Sequence, residues 1–421
     1  MKSRPFNTAW LLTLIAVLAI PTCTTAQTRA AKQYAVTDLG TLGGAYSFGY
    51  GLNNAGVVAG GAATATQTDF VSQTAFLWFR GHMINVGTLD GPACPDCSSE
   101  AGGPNAFGLS PVLSETATVD PNGEDFCGFG THRQCLAAVW RNGVLRALPT
   151  LPGGNNSQAY WANAHGQVVG FSETGVEDAT CASTPLQKIQ YEGVVWQPDG
   201  RIRELTPYPG DTVSFAFGIN DSGQAVGSSG LCADTSIPPV APNGTHAVLW
   251  QPDGSIIDLG NLGGDTNNVA TGINNAGEVV GNSLSSDGTI HPFLWRRSTG
   301  MQDLGAFPGA VATIAPCCHT LNDEGEVVGF YVDTNFNISA FHWKNNTMVD
   351  LNTLLPAGSP WFLLQALSIN TAGQITGVGL INGEIHAFLA TPISEHAAGR
   401  CIGKPPVLPA KARGALFGHR H

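Results

Sequence analysis

Seven copies of one short pattern, spread across almost the whole chain, constrain this sequence more than any other feature. The clearest copy reads GINNAGEVVG at 272–281. Its key residue recurs at Asn53, Ser110, Asn163, Asn220, Asn274, Asn322 and Asn370, at intervals of 48 to 57 residues. Two further signatures alternate with it. One is an Asp-Leu-Gly-like segment at 38–40, 85–87, 147–149, 204–206, 258–260, 303–305 and 350–352. The other is a small-apolar-apolar-Trp segment ending at Trp78, Trp140, Trp196, Trp250, Trp295, Trp343 and, degenerately, Ala390. A period near 50 residues is that of propeller blades, and no amphipathic helical stretch interrupts it.

Each unit reads as four strands, for example 268–274, 278–283, 291–295 and 301–305. Between them fall Asn275-Ala276-Gly277 and turns such as Pro252-Asp253-Gly254 or Asn142-Gly143, whose Asn and Gly accept the positive φ of tight hairpins. The phase is offset. An outer strand at 34–40 precedes the first unit, and the seventh unit ends after His386-Ala387-Phe388-Leu389 without one. The expectation is an all-β fold, a seven-bladed β-propeller over 34–392 with four-stranded antiparallel blades, its ring closed by the N-terminal strand so that no sheet edge stays bare.

DLGTLGG, GINNAGEVVG and HPFLW, in that order and at that period, resemble the extracellular HAF repeat proteins, named for a His-Ala-Phe triplet. The triplet is intact at His386-Ala387-Phe388, with near versions at His246-Ala247-Val248 and His291-Pro292-Phe293. Blade two departs most, since 111–120 stands where the Asn-Ala-Gly turn is expected. The resemblance implies export and a repeat fold of unassigned biochemical role.

Residues 1–26 read as a signal peptide: Lys2 and Arg4, an apolar run at 10–20, then Thr24-Thr25-Ala26. Ile20-Pro21-Thr22 is poor context for a lipid anchor at Cys23. No later run is long enough for a transmembrane segment. Residues 393–421 form a basic, proline-containing tail. The expected location is secreted, extracellular or at the cell surface. With 19 Lys and Arg against 31 Asp and Glu the net charge is −12, which excludes nucleic acid as a natural partner. In an exported chain Cys94, Cys97, Cys127, Cys135, Cys181 and Cys232 are disulfide candidates, with no pairing legible. A four-thiolate zinc site at Cys94, Cys97, Cys127 and Cys135 is the minor alternative. Cys401 is the natural unpaired residue, and Cys317 and Cys318 are expected to have separate fates.

The repeated residues have structural explanations first. Asn274 and its counterparts fit Asx-type turns, the Trp series fits packing between blades, and His246, His291 and His386 start third strands too far from the axis to meet at a metal. Trp161 and Trp361 fall outside the register. Function is therefore sought where the repeat breaks. The connections between second and third strands are long in blades two to four, at 120–134, 173–192 and 228–245, and six cysteines lie in or beside them or in the Cys94–Cys97 loop. Loops of that length are functional or disordered, and cross-linking argues for order. Glu124, Asp125, Phe126, His132, Arg133, Glu177, Asp178, Lys188 and Tyr191 are the accessible polar or aromatic candidates on this face. No cofactor is implied. The segment 120–125 has a faint calcium-loop character, but its Gly falls at position four. Two readings follow: a binding or interaction scaffold for an unknown extracellular ligand, carbohydrate or protein, and an enzyme, hydrolase or lyase, acting on extracellular polysaccharide. A purely structural filler of the envelope is the third.

Overall fold

The computed structural model describes residues 33–183, 187–232, 244–317 and 319–393. The signal segment, most of the basic tail, Cys318 and Cys401 lie outside the described residues. Among those described, seven four-stranded antiparallel sheets form a β-propeller. Blade 1 holds Gly43–Leu52, Val58–Thr64, Thr74–Phe79 and His82–Gly87. Blade 2 holds Ser99–Ala101, Leu109–Val119, Arg133–Arg141 and Val144–Ala147. Blade 3 holds Ser157–Ala162, Val168–Glu177, Ile189–Trp196 and Ile202–Leu205. Blade 4 holds Val213–Ile219, Ala225–Gly230, His246–Trp250 and Ile256–Asp258. Blade 5 holds Val269–Ile273, Val279–Leu284, Ile290–Arg296 and Gly300–Asp303. Blade 6 holds Ala310–Ile314, Val327–Asp333, Ile338–Lys344 and Thr347–Asp350. Blade 7 holds Trp361–Ile369, Ile375–Ile381 and Glu384–Ile393, and its outer strand is Gln33–Asp38, paired antiparallel from Gln33↔Ile393 to Asp38↔Phe388.

The Asn series does more than turn the chain. Each Oδ1 accepts the backbone N–H four residues on, as in Val57 to Asn53 and Glu278 to Asn274, which is the Asx turn. Each Nδ2 donates to the carbonyl of the equivalent Asn in the next blade. The bonds run Asn53 to Asn105, Asn105 to Asn163, Asn163 to Asn220, Asn220 to Asn274, Asn274 to Asn322, Asn322 to Asn370 and Asn370 to Asn53, all 3.0 to 3.2 Å. The series returns to the residue on which it began.

Blade 2 corrects the sequence reading. Its turn residue is Asn105, not Ser110. Asn105 takes the N–H of Phe107 and Leu109, while Ser110 lies in the second strand and bonds the Gly102 carbonyl. Phe107 separates Ala106 from Gly108 and hides the motif, and 111–119 is strand in place of a replacement turn.

The other signatures tie the outer parts. In the Asp-Leu-Gly segment the carboxylate accepts the Gly N–H two residues on, at Gly40, Gly260 and Gly305, and the Leu is buried. The third-strand histidines lean on such carboxylates: His386 on Asp38 at 2.9 Å and His291 on Asp303 at 3.0 Å. His246 reaches Asp211, in the connection entering its own blade, at 2.9 Å. These contacts account for the histidines without a metal. The Trp rings pack between blades, and Trp196 and Trp250 donate their indole N–H to Pro149 and Thr206 of the preceding blade. Gly281 closes the repeated motif because a Cβ there would stand 2.0 Å from the Val269 carbonyl and against the Phe293 ring.

Replacing Asn274 with Ala removes two turn bonds, the bond to Asn322 and one to the Glu278 carboxylate. The expected loss is about 2 to 4 kcal/mol, read from denaturant midpoints. Ser222→Ala, at an exposed position of the equivalent blade 4 turn, stays within about 0.5 kcal/mol of the parent.

Candidate functional site

The first-to-second strand turns emerge at one end of the ring. The second-to-third connections and the links between blades emerge at the other. At that second end three disulfides staple the insertions. Cys94–Cys97 closes the link between blades 1 and 2, Cys127–Cys135 ties the blade 2 insertion to its own third strand, and Cys181–Cys232 joins the blade 3 and blade 4 insertions. Four of these thiols were the zinc alternative, and their bonding to one another removes it.

Beneath the insertions lies a polar and aromatic layer. Glu124 accepts the backbone N–H of Lys188 and Ile189, which carries the blade 2 insertion onto blade 3. Glu173 accepts the N–H of Asn155 and Asn156, both at 3.0 Å, and the Asn156 amide. That amide also reaches Asp120 at 2.7 Å. Glu124 lies beside Glu173, and like charges on two buried neighbouring carboxyl groups disfavour ionisation. Burial first, then the neighbouring Glu124, pushes the Glu173 carboxyl up to about 8. Phe126 inserts its ring among Phe171 at 5.3 Å, Tyr191 at 6.5 Å and the surrounding Phe215 and Phe217, and its carbonyl accepts from Gln158.

This arrangement corrects the expectation that all nine candidates are accessible. Glu124, Asp125, Phe126, Asp178 and Tyr191 are buried. Asp125 holds the Gly130 N–H at 2.9 Å, and Asp178 holds the N–H and hydroxyl of Thr180. An insertion without a strand pattern still has to satisfy its backbone groups, and these side chains do so from inside. Asp120 likewise points inward, Oδ1 to the N–H of Asn122 and Glu124 and Oδ2 to Asn156, leaving no calcium-loop geometry. His132, Glu177 and Lys188 remain exposed and Arg133 half-buried. Lys188 Nζ donates to the Asn122 carbonyl and Arg133 to that of Ala117. Val119, Val176 and Leu231 add exposed apolar surface on the same insertions.

The axis holds a feature that sequence reasoning left unexplained. Trp161 of blade 3 stacks on His319, which precedes the blade 6 turn, with ring centroids 4.3 Å apart and planes 4° from parallel. Trp161 also lies over Gly103, where a Cβ would come within 1.5 Å of the ring. Trp361, the other tryptophan outside the register, packs instead with Phe388 and Leu363 inside blade 7. The only sequence signal for the axial stack was that irregular position of Trp161.

No family model matches the chain, and no curated protein matches it. Among solved structures, streptogramin B lyase shares 11% identity over 86% of this chain and 98% of its own, with a TM-score of 0.45. Puromycin hydrolase shares 15% over 79% of this chain and 50% of its own, with a TM-score of 0.47. A gluconolactonase from Xanthomonas campestris shares 12% over 71% of this chain and 91% of its own, with a TM-score of 0.36. At these identities the likeness concerns the fold alone.

Two outcomes test the stapled layer. The folded chain holds a proton on Glu173 that the unfolded chain, with an ordinary value of 4.5, releases. The contribution is intact below pH 4.5 and declines as pH climbs through about 8. The protection factors of the Lys188 and Ile189 amides, their exchange rates referred to the intrinsic rate at each pH, therefore fall between pH 5 and 9, and Glu173→Gln flattens that fall; an unchanged slope in the variant refutes the assignment. Separately, Cys181–Cys232 spans 51 residues and Cys94–Cys97 only 3. Replacing the first pair with Ala costs about 4 kcal/mol and the second about 2, measured by chemical denaturation.

Proposed function

We propose that this chain is an exported HAF repeat propeller that serves as a binding scaffold, with the stapled rim of blades 2 to 4 as its recognition face and an extracellular protein as its partner. The observation that carries this reading is where the order is concentrated. Two disulfides, the Glu124–Glu173 pair and the Phe126 anchor all act on insertions outside the blade pattern. A rigid loop surface loses little entropy when a partner docks, which is what a recognition face requires. The motif set and the disulfides support export and the family reading, since disulfides persist in oxidising compartments.

The surface chemistry favours protein over polysaccharide at this rim. Sugar rings are held by open aromatic faces, and Phe126 and Tyr191 are 2% and 1% exposed. What the rim presents is Val119, Val176 and Leu231 beside Lys188, His132 and Glu177. Apolar groups set among charges are the anatomy of a protein interface. Binding is favoured over polysaccharide cleavage because Glu124 and Glu173 face each other and backbone amides, not a substrate.

The test compares the mature chain with Val119→Asp and Val176→Asp, each immobilised against extracellular protein of its source and printed on a glycan array. The expected result is a partner retained by the parent and lost from both variants, with melting unchanged and a flat glycan response at the rim. Retention of the same proteins by the variants refutes the rim as the interface. A glycan signal abolished by these substitutions moves the rim to the carbohydrate reading.

A further inference from the structure

At the end opposite the stapled rim, the turns of the Asn series surround a cup of about 120 Å³ on the axis. Its floor is the Trp161–His319 stack. His319 is held in a conformation that few non-glycine residues adopt, with φ of +90°. Two hydrogen bonds fix it there. Its Nδ1 donates to the Ile369 carbonyl at 3.1 Å, and its own carbonyl accepts the Ile369 N–H at 3.1 Å. Because Nδ1 carries the donated proton, Nε2 is the acceptor side of the ring. Burial depresses the basicity of the imidazole, so the ring is neutral.

The wall is a second tier of hydrogen bonds, one residue past the Asn series. Asp221 Oδ1 accepts the Ala164 N–H at 2.8 Å, Asn275 Oδ1 accepts that of Asp221 at 3.0 Å, and Asp323 Oδ1 accepts that of Asn275 at 2.9 Å. Asn54 does the same for Thr371 at 3.0 Å. Each side chain thus commits one oxygen to the neighbouring blade. The second carboxylate oxygen of Asp221 and Asp323, and the amide nitrogen of Asn54 and Asn275, have no partner among the described residues.

The cup therefore offers two carboxylates, one imidazole acceptor and two amide donors, above an aromatic floor, and no Lys or Arg lines it. An anion would meet repulsion from both carboxylates, a neutral polyol would gain nothing from their charge, and a cation would be drawn to both. We propose that this axial cup is a binding site for a small organic ammonium ligand, an amine carried on a hydroxylated ring such as an amino sugar. The ammonium sits between Asp221 and Asp323, and its hydroxyl groups meet the Asn54 and Asn275 amides. The site is independent of the rim, at the other end of the ring.

The test is isothermal titration of the full mature chain with glucosamine, glucose and N-acetylglucosamine at low and high salt. Glucosamine is expected to bind at least tenfold more tightly than either neutral sugar and to weaken with salt. Asp221→Asn and Asp323→Asn keep the oxygen that takes the neighbouring N–H and remove only the charge. Each is expected to weaken glucosamine about tenfold with melting unchanged, while Val119→Asp leaves the binding intact. Equal binding of neutral sugars, parent-like binding by both Asn variants, or no heat with glucosamine at millimolar concentration overturns the proposal. Because the rim variant is a separate arm, failure at the cup and failure of the rim reading are told apart.

Discussion

One side-chain amide, repeated seven times, carries the organisation of this ring. An Asn at the first turn of each blade uses its oxygen to fold its own turn and its nitrogen to hold the next blade's carbonyl. Few other side chains satisfy both demands, since Asp has no donor and Ser is too short to span a turn and a blade gap together. Gln at the same place would add a methylene and lose the turn. Each bond contributes only about 1 kcal/mol, but the geometry is shared by seven sites and sets the rotation from blade to blade. The Trp-to-carbonyl bonds farther out, at Trp196 and Trp250, hold the same neighbours at a larger radius.

Fixing the blades at the turn end and along their outer strands leaves the opposite end free of repeat constraints. There the chain carries connections as short as 382–383 in blade 7 and as long as 231–245 in blade 4. A longer connection gains exposure but loses the strand ladder that would pair its backbone. The insertions of blades 2 and 3 meet this by turning carboxylates inward. Glu124, Glu173, Asp120 and Asp125 accept backbone N–H groups or the Asn156 amide in place of ladder bonds. Burying Glu173, and setting Glu124 beside it, has a consequence: its carboxyl is pushed up to about 8. The disulfides then hold what hydrogen bonds alone, in reach of water, would hold weakly.

The blade count, strand boundaries and offset outer strand were legible because they depend on local turn chemistry and a fixed period. The strands of blade 5 fall within two residues of their expected limits. Blade 2 was misread by five residues, from Asn105 to Ser110, because Phe107 interrupts the motif while the hydrogen-bond pattern survives. The site was less legible. Charge and polarity marked Glu124, Asp125 and Asp178 as exposed, and only their partners reveal otherwise. Glu124 bonds the amides of Lys188 and Ile189, 64 and 65 residues away. Nothing periodic announces such a pairing. Trp161 and His319 lie on nearly opposite blades, and their contact follows from the ring itself, so no segment of sequence shows it.

That stack also shapes how the two ends relate. The Trp161 and His319 rings, seated against Gly103 on one side and bonded to Ile369 on the other, span the axis between blades 2 and 3 and blades 6 and 7. The two rings occupy the axis at that level, between the cup and the rim. Any influence of one end on the other must then pass through the blades. The inner strand of blade 3, Ser157–Ala162, reaches both ends: it carries Trp161 at the cup and Gln158, bonded to the Phe126 carbonyl, beneath the rim. One short strand thus runs from the cup to the layer beneath the rim, with the Asn cycle holding it in place from the side.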